Sequence, residues 1–188
     1  MKVVLFNGSP RKNGNTNECL KIVMQELKKE DIECDYVWIG AKRLQGCTAC
    51  YQCIENDDQR CVLPGDDMNE YIQKMLKADG IIIGSPTYYS NMSTSIKALI
   101  ERAGFATGSL LKHKVGAAVI AVRRAGAVHV FSSINYFFLI KEMFVVGSSY
   151  WNLGIGRVPG EVLEDTEGIK TFENLGKNFA FLLKKLSS

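Results

Sequence analysis

A chain of 188 residues, 46% hydrophobic and 23% charged, with four prolines, has the make-up of an ordinary folded domain and can bury roughly 70% of its unfolded surface without covalent staples. A formal charge of +3 spread over scattered lysines and arginines excludes the basic footprint that nucleic acid selects. No stretch reaches the roughly 18 apolar residues of a membrane span, and the short apolar run before Asn7 does not make a secretory leader, so the expectation is a cytoplasmic protein, where disulfide frameworks are rare.

In chain order, KVVLF (2–6) is a compact β-branched run suited to a strand buried on both faces. The polar loop 7–15 leads into NTNECLKIVMQELKKE, where Leu20, Val23, Met24 and Leu27 share one stripe. Asn15 and Glu18 have capping-box spacing, which predicts a helix start here. ECDYVWIG (33–40) alternates as an edge strand does, and a cysteine-rich stretch follows. DDMNEYIQKMLKAD opens a helix with two aspartates at its positive end. GIIIGSP (80–86) is a second fully apolar strand, followed by a loop and the helix STSIKALIERAG. VGAAVIAV (115–122) is a third such strand, and VFSSINYFFLIKEM (130–143) reads as a helix that is apolar around much of its circumference. FVVGSSYW (144–151) is expected to be a further strand, and EGIKTFENLGKNFAFLLKKL a closing helix.

Strands alternating with helices imply right-handed crossovers and a parallel sheet covered on both faces. The expected fold class is α/β: a doubly wound, five-stranded parallel sheet in the flavodoxin-like order 2-1-3-4-5. One domain is expected over residues 1–188, with the cysteine-rich loop at 46–61. Ligands of such a sheet bind beyond the carboxyl ends of the strands, at the switch point. That singles out the loops 7–16, 85–92 and 122–129.

The first loop, NGSPRKNGNT, is neither a Walker motif nor G-x-G-x-x-G. It offers the hydroxyls of Ser9 and Thr16, the amides of Asn13 and Asn15, turning glycines and Arg11, all just before a helix N-terminus. Such a nest of donors suits a phosphate monoester. In the second loop, Pro86 takes the chain out of the sheet. Thr87, Tyr88, Tyr89 and Asn91 then supply backbone amides and flat aromatic surface for a planar heterocycle with a polar edge. The third loop adds Arg123, Arg124 and Gly126.

GSPRKNGNT, GSPTYYSNMSTSIKALIER and CTACYQC with CVLPGDDM together resemble the NADPH-dependent FMN reductase family, and within it the iron–sulfur flavoprotein branch. The likeness runs over essentially the whole chain. It implies FMN as cofactor, with Ser9, Arg11, Asn15 and Thr16 on its phosphate. Pro86, Thr87, Tyr88, Tyr89 and Asn91 would line the isoalloxazine, with Arg124 and Gly126 nearby. It also implies a homodimer or homotetramer, a role for which the apolar helix is suited.

Cys47, Cys50 and Cys53 are spaced two apart, and Cys61 follows after seven residues. A zinc site usually sets two C-x-x-C pairs a dozen or more residues apart. The compact run is nearer to the ferredoxin-type spacing that wraps a [4Fe–4S] cluster, with Cys61 as the fourth ligand. Zinc, a disulfide and bare thiols remain open. Cys19 and Cys34 read as ordinary small core residues, and neither His113 nor His129 belongs to a catalytic arrangement.

The expected activity is an FMN-dependent oxidoreductase that accepts a hydride from NAD(P)H and passes electrons to a quinone, a flavin or a ferredoxin-type protein, with the cluster as a relay. Hydride transfer needs no side-chain acid or base, so no catalytic residue is expected. The competing expectation is a non-enzymatic carrier fed by ferredoxin, and a weaker one is a redox sensor.

Overall fold

Residues 3–6 are apolar without interruption, a pattern that only a strand covered on both faces satisfies. The computed structural model, which describes residues 1–187, buries all four completely in strand β1 (Lys2–Asn7). Helix α1 (Asn15–Lys29) and the outer strand β2 (Glu33–Trp38) complete the first crossover. A short helix α2 (Gln52–Asn56) lies within the cysteine-rich stretch, ahead of α3 (Met68–Lys77). Then come β3 (Gly80–Pro86), α4 (Thr94–Ala106), β4 (Val115–Val122) and α5 (Ala127–Ile140). The chain closes with β5 (Phe144–Val145), β6 (Leu153–Ile155), a 3-10 turn at Glu161–Glu164 and α6 (Thr166–Ser187).

All pairings between these strands are parallel, in the order β2-β1-β3-β4-β5, with β6 also on β4. The sheet thus has six strands where five were expected. The single strand expected over 144–151 is broken: β5 pairs with β4 only at Val115 and Gly116, and β6 takes over at residues 120–122. Asn152 bridges the interruption. Its Nδ2 donates to the Ala118 carbonyl at 3.0 Å, and its own carbonyl accepts the Ile120 N–H at 3.0 Å.

Two apolar layers sandwich the sheet. One packs α3, α4 and α5 through Met68, Ile72, Leu99 and Phe138, and the other packs α1 and α6 through Leu20, Leu27, Phe172 and Phe179. Helix α5 buries Val130, Ile134 and Phe138 but leaves Tyr136, Leu139 and Ile140 exposed. Among the described residues no helix is long and apolar enough to cross a membrane.

The capping box at Asn15 does not form. Gly14 is the N-cap, and Asn15 is already helical. The Asn15 Oδ1 instead accepts the Gly160 N–H at 2.8 Å, so the closing loop has taken the acceptor that a cap would use.

Candidate functional site

Between β1 and α1 the chain must reverse from strand to helix, and side chains fix the turn from below. Asn7 Nδ2 donates to the Tyr36 hydroxyl at 2.7 Å, which donates to Asn17 Oδ1 at 2.6 Å. The Ser9 N–H donates to Asn7 Oδ1 at 2.9 Å, and Trp38 Nε1 donates to the Ser9 carbonyl at 2.7 Å. Gly40 is obligatory beside this turn, because a Cβ there would lie 1.9 Å from the Ser9 carbonyl oxygen. In the first turn of α1, the N–H groups of Asn15 and Thr16 have no hydrogen-bond partner among the described residues, as the geometry of a helix start dictates.

Two hydroxyls sharpen the picture. Thr16 Oγ1 and Thr87 Oγ1 are both buried and both without a hydrogen-bond partner. They line one cleft at the carboxyl end of the sheet. An unpaired buried hydroxyl costs about 1–3 kcal/mol, so two in one cleft point to a ligand that brings acceptors. Ser9 and Arg11 wall the cleft from the first loop, Pro86 and Tyr88 from the second, and Arg123 and Arg157 complete it. Three guanidinium groups, free helical N–H groups and unpaired hydroxyls form a donor set complementary to a phosphate dianion.

The second loop turns back on itself just beyond the cleft. Tyr88 and Asn91 exchange backbone hydrogen bonds of 2.9 Å, while Tyr89 and Ser90 hold φ of 49° and 59°. Positive φ at both central positions is the type I′ pattern, which ordinary side chains resist. The Tyr89 ring stands wholly in solvent. Ser90 abuts Gly126, where a Cβ would come within 2.5 Å of Ser90 Oγ and where φ is +88°.

Of the residues expected on the cofactor, Ser9, Arg11, Asn15, Thr16, Pro86, Thr87 and Tyr88 share the cleft. Tyr89 and Asn91 do not line it. Asn91 Oδ1 is taken by the Met92 N–H at 2.9 Å. Arg124 and Gly126 line a neighbouring pocket with Tyr150, Asp165 and Glu167. Arg123, which the sequence offered beside Arg124 as a contact for a flavin or nicotinamide or as a solvated residue, lines the cleft, and Arg157 stands where sequence reasoning had placed no ligand contact. Arg123 lines the cleft while the adjacent Arg124 lines the neighbouring pocket. For Arg157 the only sequence signal is Gly156, which follows the brief apolar stretch of β6.

A second site lies in the loop between β2 and α3. Cys47, Cys50, Cys53 and Cys61 line one pocket, with Arg102 and Phe105 of α4 in its wall. Positive φ at Ala49, Tyr51, Asp57 and Gln59 lets this segment coil tightly. Burial, followed by the sulfurs of Cys61, Cys50 and Cys47, pushes the Cys53 thiol above its ordinary value, the electrostatic mark of crowded sulfurs. All six cysteines are unbridged. Among the described residues no three His, Cys, Asp or Glu side chains are arranged to hold one metal ion. Cys19 stays apart in the core, its thiol pushed well up by burial.

Arg102 is the largest fully buried side chain. Its Nε donates to Cys61 Sγ at 3.1 Å, and its Nη1 pairs with Asp66, whose side chain is itself buried. Burial opposes the charge on this guanidinium, but Asp66 and Cys61 outweigh it and hold its pKa above the ordinary arginine value.

Comparison with known proteins bears on family and fold. The family model described as NADPH-dependent FMN reductase matches residues 1–157. An iron-sulfur flavoprotein of Methanocaldococcus jannaschii is 37% identical over 192 residues, covering 98% of each chain. An iron-sulfur flavoprotein of Methanosarcina thermophila is 35% identical, covering 98% of this chain and 96% of the relative. Among solved structures, a flavodoxin, WrbA-like protein from Agrobacterium tumefaciens superimposes with a TM-score of 0.68 at 13% identity, covering 98% of this chain and 97% of that one, which is a likeness of fold.

Proposed function

The chain belongs to the NADPH-dependent FMN reductase family, and from that premise we propose that it is an FMN-dependent oxidoreductase that takes electrons from NAD(P)H and passes them to an acceptor, with Cys47, Cys50, Cys53 and Cys61 as the residues that would hold a [4Fe–4S] cluster. The observation that carries the flavin reading is the pair of buried, unpartnered hydroxyls of Thr16 and Thr87 in a cleft bordered by three arginines. When bound, FMN accepts the two electrons of a hydride and releases them one at a time. Ser9, Thr16 and the first-turn amides of α1 would hold the phosphate, with Arg11, Arg123 and Arg157 matching its charge. Pro86, Thr87 and Tyr88 would lie along the ring. The support for a cluster is that the four thiols line one pocket and that similar proteins are named iron-sulfur flavoproteins; among the described residues no three of these side chains are set to hold one metal ion. Exposed Tyr136, Leu139 and Ile140 on α5 support a homodimer or homotetramer.

The same convergence of thiols favours a second reading, a non-enzymatic carrier fed by ferredoxin. Mixing the flavin-loaded protein with NADH or NADPH under argon separates the two. Bleaching of the flavin band within seconds is the expected result. Reduction by ferredoxin alone would instead support the carrier.

A further inference from the structure

Resting on the NAD(P)H reading above, we propose that the pocket beside the flavin cleft receives the adenosine half of the dinucleotide, and that Glu167 there makes NADH the preferred donor over NADPH. The pocket opens between the starts of α5 and α6, and Val122 lines both it and the cleft. Its groups match the parts of an adenosine nucleotide. The Arg124 guanidinium has no ion pair among the described residues, and the N–H groups of Ala127 and Val128 open α5 without a capping partner. Together they suit a pyrophosphate. Tyr150 is half exposed, with its ring 5.0 Å from that of Trp151, and offers a flat face to a purine. Thr171 is 2% exposed, and its hydroxyl has no hydrogen-bond partner among the described residues. The pocket wall thus carries a buried polar group that a polar ligand would satisfy.

The carboxylates decide between the two dinucleotides. Both oxygens of Asp165 are committed, Oδ2 to the Ile155 N–H at 2.8 Å and Oδ1 to the Gly168 N–H at 2.9 Å. Glu167 lines the same pocket, and its carboxylate has no partner among the described residues. A free carboxylate only accepts hydrogen bonds. It can take both hydroxyls of a ribose diol, as the acidic residue of NAD-binding folds does, and it repels a 2′-phosphate of like charge. The family description names NADPH, and this carboxylate argues for the other nucleotide in this chain. An acidic residue in the first turn of a helix is stabilising in itself, so nucleotide choice, not stability, is the property that separates the two roles.

The test is calorimetric titration of the FMN-loaded protein with NAD⁺ and NADP⁺, which bind without reacting, alongside anaerobic bleaching of the flavin by NADH and NADPH. Wild type is expected to bind NAD⁺ about tenfold more tightly than NADP⁺, the size of effect that hydrogen bonds to a charged group produce. The same preference is expected in the half-saturating concentrations for bleaching. Glu167 is exposed, so its variants keep the fold. Glu167→Gln removes the charge and should shrink the preference, and Glu167→Arg should reverse it. Tyr150→Ala should weaken both dinucleotides alike. Tighter binding of NADP⁺ by wild type, or a preference unchanged in both Glu167 variants, overturns the role of Glu167; bleaching by either nucleotide would then leave the NAD(P)H reading standing. Neither binding nor bleaching by either nucleotide overturns both.

Discussion

A single hydroxyl makes the phosphate assignment testable. Thr16 Oγ1 is buried without a partner, so its removal breaks no bond in the flavin-free protein. Thr16→Val is expected to leave the melting temperature of that form unchanged or slightly raised. The same substitution should weaken FMN about tenfold or more, since a hydrogen bond to a charged group contributes about 1.5–3 kcal/mol. Calorimetry on the flavin-free form, paired with fluorescence titration, reads both effects. A Thr16→Val protein that binds FMN like wild type would remove the hydroxyl from the site. This residue was visible in the sequence as a donor just before a helix, yet its lack of a partner was not. Similarly, Arg123 and Arg124 are neighbours of identical chemistry, and only the folded chain shows that one lines the cleft and the other the next pocket.

Loops hold these residues in place, and their strain points are specific. At Gly40 any Cβ would collide with the Ser9 carbonyl at 1.9 Å, so Gly40→Ala must push the phosphate loop aside. A destabilisation of about 1–3 kcal/mol is expected, with FMN affinity lowered in parallel, as chemical denaturation and titration can measure. On the opposite side, the loop bearing Arg157 is fastened by Glu161, which accepts the Val158 N–H at 2.8 Å and the Arg157 N–H as well. Those two donors hold the Glu161 carboxyl below the usual glutamate range. A depressed value in the folded state means that the support is full above the ordinary glutamate range and is lost as pH falls through the lowered value. Glu161→Gln should therefore bind FMN a few-fold more weakly at neutral pH, and the wild-type advantage should shrink in acid; a constant ratio across pH would count against this fastening. Sequence pattern located every helix of the two main layers. It overextended the strand after α5, because the apolar run beginning at Phe144 continues past the point where the sheet edge passes to β6. It also assigned Asn15 to a cap, because the competing N–H of Gly160 lies 145 residues away.

For the molecule as a whole, strand order was the most legible feature, since a fully apolar β1 followed by an alternating β2 leaves little choice of which strand is central. The flavodoxin-like sheet then fixes where a ligand sits: all the loops that build the cleft leave the same end of the sheet. Chemistry at the thiol pocket was legible as four cysteines but not as a buried arginine, because Arg102 looks like any charged residue on an amphipathic helix. The account rests on the cleft gripping a terminal phosphate, and a paired fluorescence titration of flavin-free protein with FMN and with riboflavin tests that most directly. The prediction is saturable uptake of one FMN per chain and binding of riboflavin weaker by roughly 100-fold, the equivalent of about 2.7 kcal/mol. Equal affinity for the two flavins, or no uptake of FMN at all, would contradict it.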